Sequence, residues 1–112
     1  MRSISSLLLA AMALLAPLKA EAFDVGKVLH IRVTQYCLRG RMFNGHYVHP
    51  GAMAVDRSVF HLGSRFYIPA LKRKFVAEDT GGAIIGNHFD VWQKSCREAI
   101  QWGSRVVEVW KL

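Results

Sequence analysis

The chain has 112 residues, which is enough for one domain with a single hydrophobic core. Its 15 lysines and arginines against 8 acidic residues give a net charge of +7, which favours polyanionic partners. The interleaved aromatic and basic motif of RNA and single-strand binders does not occur in the sequence, so nucleic acid is not expected as a partner.

Residues 1–22 have the pattern of a secretory signal peptide. Arg2 supplies the positive start, residues 7–18 form an apolar run, and residues 20–22 (Ala-Glu-Ala) have the small residues that precede a cleavage site. The run is too short for a comfortable membrane span, so stable membrane insertion is not expected and a retained N-terminal anchor is the weaker alternative. We expect a mature domain of residues 23–112, exported to the periplasm or to the extracellular cell wall.

Export determines how the two cysteines are interpreted. In an oxidising compartment, Cys37 and Cys96 are expected to form a disulfide rather than two reactive thiols. Neither residue lies in a motif typical of a catalytic nucleophile. A bridge closing a loop of roughly 60 residues would stabilise the fold by about 4 kcal/mol on the chain-entropy model.

Short extended segments separated by Gly, Pro and Asn predict a mostly β domain. The predicted strands are residues 28–36, 52–55, 65–68, 75–78, 84–85, 89–92 and 105–112. Many short strands together with one short helix favour a small closed barrel.

The one predicted helix follows residue 95. Ser95 and Glu98 form a capping box, and Gly103 stands where a C-terminal glycine belongs. Helical spacing would then turn Cys96, Ala99 and Ile100 towards the core.

Asp56 and Asp79 each stand at the end of a predicted strand. Alternation places Asp56 on the face of Ala52 and Ala54, and it places Asp79 on the face of Ala77. The small alanines would leave space beside the two carboxylates. Aspartate is also common in turns at strand ends, where it accepts backbone N–H bonds. The residues alone therefore leave a groove-lining role and a turn-capping role open.

A third aspartate, Asp90, lies within a predicted strand. Alternation puts His88, Asp90 and Trp92 on one side, so a hydrogen-bonding side chain and a large aromatic ring flank the carboxyl group. With the other two aspartates, this segment could form a groove that has acidic groups and a ring for sugar stacking.

Several segments match a known family in their order and spacing. They are 36–40 (Tyr-Cys-Leu-Arg-Gly), 54–56 (Ala-Val-Asp), 62–69 (Leu-Gly-Ser-Arg-Phe-Tyr-Ile-Pro), 77–84 (Ala-Glu-Asp-Thr-Gly-Gly-Ala-Ile), 86–87 (Gly-Asn), 89–90 (Phe-Asp) and 102–105 (Trp-Gly-Ser-Arg). On these segments the chain resembles the three-aspartate (3D) domain family over about residues 32–112. The Asp-Thr-Gly-Gly-Ala-Ile run, followed by an aspartate at the family's spacing, is a specific feature.

This resemblance implies an all-β fold, a small six-stranded double-psi β-barrel with one short helix near the C-terminus. It is the fold of the catalytic domain of membrane-bound lytic transglycosylase A and of stationary-phase survival proteins. The implied activity is cleavage of the β-1,4 bond between N-acetylmuramic acid and N-acetylglucosamine, which leaves a 1,6-anhydromuramic acid end. The family's general acid/base falls on Asp90, and Asp56 and Asp79 assist by holding the site and the sugar.

Further expectations concern ligands. The predicted substrate-binding residues are Trp92, His88, Thr80, Gly81, Gly82 and Tyr36. Peptidoglycan glycan strands are the expected partner, other cell-wall proteins are further candidates, and the chain is expected to be a monomer. No cofactor and no metal are expected.

Two other functions stay open at this point. The first is a non-catalytic wall-glycan binder on the same barrel. The second is a metal-dependent wall hydrolase or metal-binding protein that uses His46-x-x-His49 and His88-x-Asp90, although neither spacing completes a known ligand pattern.

Overall fold

Six strands close into a barrel in the computed structural model, which describes residues 26–112. The strands are β1 (Val28–Tyr36), β2 (Ala52–Ala54), β3 (Arg65–Ile68), β4 (Arg73–Asp79), β5 (His88–Trp92) and β6 (Arg105–Lys111). A short 3₁₀ helix (Pro69–Leu71) follows β3, and the helix α1 (Cys96–Trp102) precedes β6. The predicted mostly β barrel with one short helix is confirmed. The predicted signal peptide lies outside the described residues.

The order of strands around the barrel is β1-β5-β2-β4-β3-β6. Two neighbouring pairs are parallel, β1 with β5 and β2 with β4, and the other four are antiparallel. The three-residue strand β2 therefore lies between β4 and β5, which carry Asp79 and Asp90. The predicted strand at 84–85 is wrong, because the chain turns there and the Ile84 amide donates to the Gly81 carbonyl.

Alternate residues of the strands fill the barrel. The buried cluster consists of Ile31, Val33, Met53, Val55, Phe66, Ile68, Phe75, Ala77, Phe89, Val91 and Val109. At one side of it, the ring of Phe60 makes edge contacts with Phe66 and Phe89 at centroid distances of 5.7 and 4.9 Å. Phe89 and Val91 of β5 enter this core, so the residues that alternate with them along the strand, including Asp90, face outwards.

Helix α1 begins as predicted but turns a different face to the barrel. The Ser95 hydroxyl accepts the Glu98 amide at 3.2 Å, which confirms the N-cap. Ile100 was expected in the core and is 79% exposed, so that prediction is wrong; Cys96 is also exposed. Ala99 and Trp102, three residues apart, face the barrel instead, and the Trp102 indole donates to the Val33 carbonyl at 2.8 Å.

The predicted disulfide is present. Cys37 directly follows β1 and is bonded to Cys96, the first residue of α1, across 59 positions of sequence. The bridge therefore ties the helix to the end of the strand that it covers.

Replacing both cysteines with alanine should lower the free energy of unfolding by about 4 kcal/mol, because the unfolded chain regains the entropy of a long loop. Chemical denaturation of the oxidised protein and of the variant measures this difference. Reduced wild-type protein is the matched control and should unfold like the variant. Equal stability of the oxidised and reduced wild-type protein would contradict the assignment.

Candidate active site

Two of the three aspartates lie side by side on the outside of the barrel. Ala54 of β2 is paired with Asp79 of β4 on one side and with Asp90 of β5 on the other. On the far side of Asp90, the next strand contributes Thr34. The row Thr34, Asp90, Ala54 and Asp79 thus crosses four strands, and Ala54 is the residue paired with both Asp79 and Asp90.

A shift of register at the end of β4 brings Asp79 into this row. Met53 pairs with Ala77, yet the next residue, Ala54, pairs with Asp79, so Glu78 is an extra residue in β4. Such a bulge interrupts the alternation of side chains. Ala77 belongs to the core. The expectation that Asp79 shares a face with Ala77 is therefore wrong.

Three donors hold the carboxylate of Asp79. The Tyr36 hydroxyl donates to Oδ2 at 3.2 Å, and the amides of Phe43 and Thr80 donate to Oδ1 at 2.9 Å each. Burial raises the pKa of Tyr36, and the neighbouring Asp79 raises it further. Tyr36 therefore stays protonated and remains a donor to Asp79.

Asp90 has a different environment. Burial raises the pKa of its carboxyl group and the charge of Asp79 adds to that rise, while the hydrogen bond from Thr34 and the presence of His88 oppose it. The Thr34 hydroxyl donates to Oδ1 at 2.9 Å. Within residues 26–112, Oδ2 has no hydrogen-bond partner. Asp90 is therefore the carboxyl group of the row that is disposed to hold a proton.

His88 and Trp92 stand on either side of Asp90 along β5, as predicted. His88 is 5% exposed and lies between Arg32 and Thr34. Trp92 is 7% exposed, and its indole donates to the Leu38 carbonyl at 3.0 Å. Neither ring offers an open face, so this burial does not support the sugar-stacking role predicted for Trp92.

Asp56 follows β2 and does not share the environment of the other two aspartates. Its carboxylate accepts the Gly86 amide at 2.8 Å and both the amide and the hydroxyl of Ser58. The Gly86 hydrogen bond, followed by those from Ser58, lowers the pKa of Asp56. These contacts match the turn-capping alternative, since they join the turn after β2 to the loop between β4 and β5.

Residues 80–82, the Thr-Gly-Gly turn, begin that loop. The Thr80 amide is directed at Asp79. Gly81 and Gly82 are exposed, and a Cβ at Gly81 would lie 3.0 Å from the Ile84 side chain. The turn therefore borders the row of carboxyl groups, and the predicted contact of these residues with substrate stays a prediction.

One further candidate site residue was not identified from the sequence. Glu78 lies near the end of β4 and is 6% exposed. Its carboxylate accepts hydrogen bonds from His46 at 2.9 Å, from Asn44 at 3.0 Å and from His49. We call these four residues the Glu78 clamp. It fastens the loop 37–51 to the end of β4, directly beside Asp79. The signal available in the sequence was the His-x-x-His pair, whose partner is about 30 positions away.

The same contacts bear on the metal-site alternative. His46 and His49 are engaged by Glu78, whereas His88 lies between Arg32 and Thr34. In the part of the chain that the structure describes, no group of three or more His, Cys, Asp or Glu side chains has the arrangement needed to hold a metal ion.

Residues 51–112, more than half of the chain, match the family described as the 3D domain. The chain belongs to the 3D domain family. This 3D domain is also similar to the solved structure of MltA from E. coli, with a TM-score of 0.52 and 27% identity over 64% of this chain and 27% of that one. The neighbour has the double-psi form of the barrel, in agreement with the predicted fold.

Two proteins of Bacillus subtilis are similar in sequence. The cell wall-binding protein YocH is 44% identical over 57 residues, which cover 51% of this 3D domain chain and 20% of YocH. YabE, whose name gives cell wall shaping as a proposed role, is 32% identical over 95 residues, or 77% of this chain and 23% of YabE. The chain thus spans about a fifth to a quarter of the length of these relatives.

Among residues 26–112, no helix is long and apolar enough to cross a membrane.

The Glu78 clamp should control the order of the loop 37–51. We expect Glu78→Ala to increase amide hydrogen exchange at Phe43 by at least about tenfold, because the loop loses the acceptor shared by three side chains. Glu98→Ala removes an exposed glutamate of α1 and is the matched control. Unchanged exchange at Phe43 in Glu78→Ala would show that the clamp does not hold the loop.

The clamp should also weaken in acid. Burial would raise the pKa of Glu78, but the hydrogen bonds from His46, Asn44 and His49 lower it below its ordinary value. A carboxylate with a lowered folded pKa stabilises the fold above its unfolded pKa, and that contribution is lost as the pH falls through the folded pKa. Protection of the Phe43 amide, corrected for intrinsic exchange, should therefore fall with decreasing pH. Glu78→Gln should show a smaller fall, and part of the dependence should remain because the Phe43 amide also donates to the carboxylate of Asp79.

Proposed function

We propose that this 3D domain is an exported lytic transglycosylase-like enzyme of peptidoglycan, with Asp90 as its single general acid/base. One observation carries the proposal. The carboxyl group of Asp90 has a raised pKa, and no group within residues 26–112 forms a hydrogen bond with its Oδ2. Asp90 and Asp79 are both paired with Ala54, so the two aspartates lie on either side of that residue. The family membership and the likeness to MltA support the same substrate class. In this proposal the mature domain begins at residue 23 and acts in the periplasm or in the extracellular cell wall.

The reaction needs one proton donor that later becomes an acceptor. Protonated Asp90 gives its proton to the glycosidic oxygen as the bond from that oxygen to C1 of N-acetylmuramic acid breaks. The C6 hydroxyl of the same sugar then attacks C1, and Asp90 takes the proton of that hydroxyl. The C1–O6 bond of the 1,6-anhydro product forms, and Asp90 is again protonated, so the proton balance closes.

The use of one carboxyl group follows from the nucleophile. Glycosidases ordinarily use two, one as the acid and one as the nucleophile or base. Here the attacking hydroxyl belongs to the substrate itself, so its position is supplied by the sugar ring and no second carboxylate has to activate water.

Asp79 has a supporting role in this proposal. Its charge raises the pKa of Asp90, which keeps the acid form populated, and the same charge faces the positive character that develops at C1. Tyr36 and the amides of Phe43 and Thr80 hold this carboxylate in place. Asp56 supports the site indirectly, through the loop that it joins to Gly86.

A non-catalytic wall-glycan binder is the second candidate. The name of YocH, a cell wall-binding protein, favours it. The exposed rings of Phe43 and Tyr47 also favour it, since both lie on the loop that the Glu78 clamp fastens beside Asp79. Both candidate functions would use the surface around the same row of carboxyl groups, so only turnover separates them.

Asp90→Asn should lower the release of 1,6-anhydromuropeptides from purified sacculi by about 10²–10⁴-fold, because it removes the group that transfers the proton. Mass spectrometry of the soluble fragments measures the loss, and sedimentation with sacculi should be unchanged. Glu108→Gln makes the same carboxyl-to-amide change on β6, away from the row, and should retain full activity. A wild-type protein that sediments with sacculi and releases nothing would support the binder.

The rate of cleavage should fall as the pH rises through the raised pKa of Asp90. The proton that the leaving oxygen needs is present below that pKa and is lost above it. The basic limb of the profile of kcat/KM against pH should therefore lie above the ordinary range of an aspartate. A rate that stays constant or increases through this range would remove Asp90 as the acid.

A further inference from the structure

His88 is a buried titratable side chain without a part in the proposed reaction. Among its neighbours in space are the side chains of Arg32 and Thr34 of β1 and of Asp90 of β5. The Arg32 guanidinium lies 3.2 Å from Nδ1 of His88, and the Thr34 hydroxyl lies 2.7 Å from Nε2. The same Thr34 hydroxyl lies 2.9 Å from Oδ1 of Asp90. The four groups therefore form an unbroken series of hydrogen bonds that ends on the proposed acid.

The donor and acceptor roles in this series are fixed by its first member. An arginine side chain can only donate, so Nδ1 of His88 must accept and carries no proton. The remaining proton of a neutral imidazole is then on Nε2, which donates to the Thr34 oxygen. The Thr34 hydroxyl uses its single proton for Oδ1 of Asp90. Each step follows from the one before, and only one arrangement of protons satisfies all three contacts.

We infer that His88 is a positioning residue for Asp90, acting through Thr34. It fixes the direction of the Thr34 hydroxyl and so reserves Oδ1 of Asp90 as an acceptor. The transferable proton of the acid form is consequently on Oδ2, the oxygen that no side chain of residues 26–112 engages. The catalytic consequence of this arrangement rests on the proposed function, whereas the arrangement itself does not.

The surroundings of His88 agree with a neutral ring. Burial lowers the pKa of His88 and the charge of Arg32 lowers it further, whereas Asp90 and the Ala83 carbonyl act in the opposite direction. On its other side, Asp90 is affected by the charge of Asp79, which raises the pKa of Asp90. A neutral ring matters because an imidazolium this close would favour the ionised form of Asp90, which cannot donate a proton. Burial and the charge of Arg32 thus keep the ring neutral, and Arg32 also selects its tautomer.

The tautomer can be tested without any activity. Nitrogen-15 NMR of the intact protein distinguishes the two neutral forms and the imidazolium, and we expect the Nε2–H form of His88 at neutral pH. Arg32→Leu removes the donor to Nδ1 and should raise the pKa of His88. An Nδ1–H form or an imidazolium at neutral pH in the wild-type protein would overturn the inference.

The coupling to Asp90 can be tested with three variants. Thr34→Val keeps the shape of the side chain and removes the hydroxyl, so carbon-13 NMR should show a raised pKa of Asp90 because its ionised form loses a hydrogen bond. His88→Leu should shift this pKa in the same direction, and His88→Gln, which supplies both a donor and an acceptor, should reverse most of the shift. The double variant Thr34→Val/His88→Leu should shift it no further than Thr34→Val alone, because His88 acts through Thr34.

Kinetics adds the catalytic consequence. We expect kcat to fall at least about tenfold in Thr34→Val and in His88→Leu, with KM changed less than about twofold, since the lost hydrogen bond orients the acid and does not bind sugar. Additive effects of the two substitutions on the pKa of Asp90, or no effect of either, would refute the coupling. If the wild-type protein cleaves nothing, the proposed function fails, and the two NMR experiments still decide the inference.

Discussion

Strand β2 contributes only three residues to the barrel, yet it joins the two strands that carry the paired carboxyl groups. Its position between β4 and β5 forces Asp79 and Asp90 to be neighbours across Ala54. Three donors hold the carboxylate of Asp79, whereas Asp90 accepts one side-chain hydrogen bond and has its pKa raised by burial, with a further rise from the charge of Asp79. Two side chains of the same type thus differ in the hydrogen bonds that surround them.

Much of the barrel could be predicted from the sequence because regular strands with one buried face alternate in polarity. Strand β5 is the best example, since Phe89 and Val91 enter the core while His88, Asp90 and Trp92 face away from it. The end of β4 was mispredicted because a bulge adds one residue at Glu78. The pattern of polar and apolar residues in a short strand does not reveal such a shift of register. Such an irregularity depends on the partner strand, which the local sequence does not reveal.

The candidate site was predictable in part for the same reason. The family resemblance gave the three aspartates, but it could not distinguish their surroundings. Asp56 is engaged by Gly86, 30 positions away, and Glu78 is engaged by His46 and His49 from another loop. The burial of His88 and Trp92 likewise arises from loops and from β1, which cover the outer face of β5. Long-range contacts of this kind give these side chains supporting roles that the local sequence does not reveal.

The Cys37–Cys96 bridge holds the start of the loop 37–51, and the Glu78 clamp holds it further along. Between these attachments lie residues 38–43, whose Leu38 and Phe43 side chains are exposed. None of these six residues belongs to a barrel strand. Substitution of the exposed Leu38 and Phe43 side chains therefore leaves the strand pairing intact, while it changes the surface that borders Asp79. The outward side chains of this span can therefore vary without a change in the strands of the barrel.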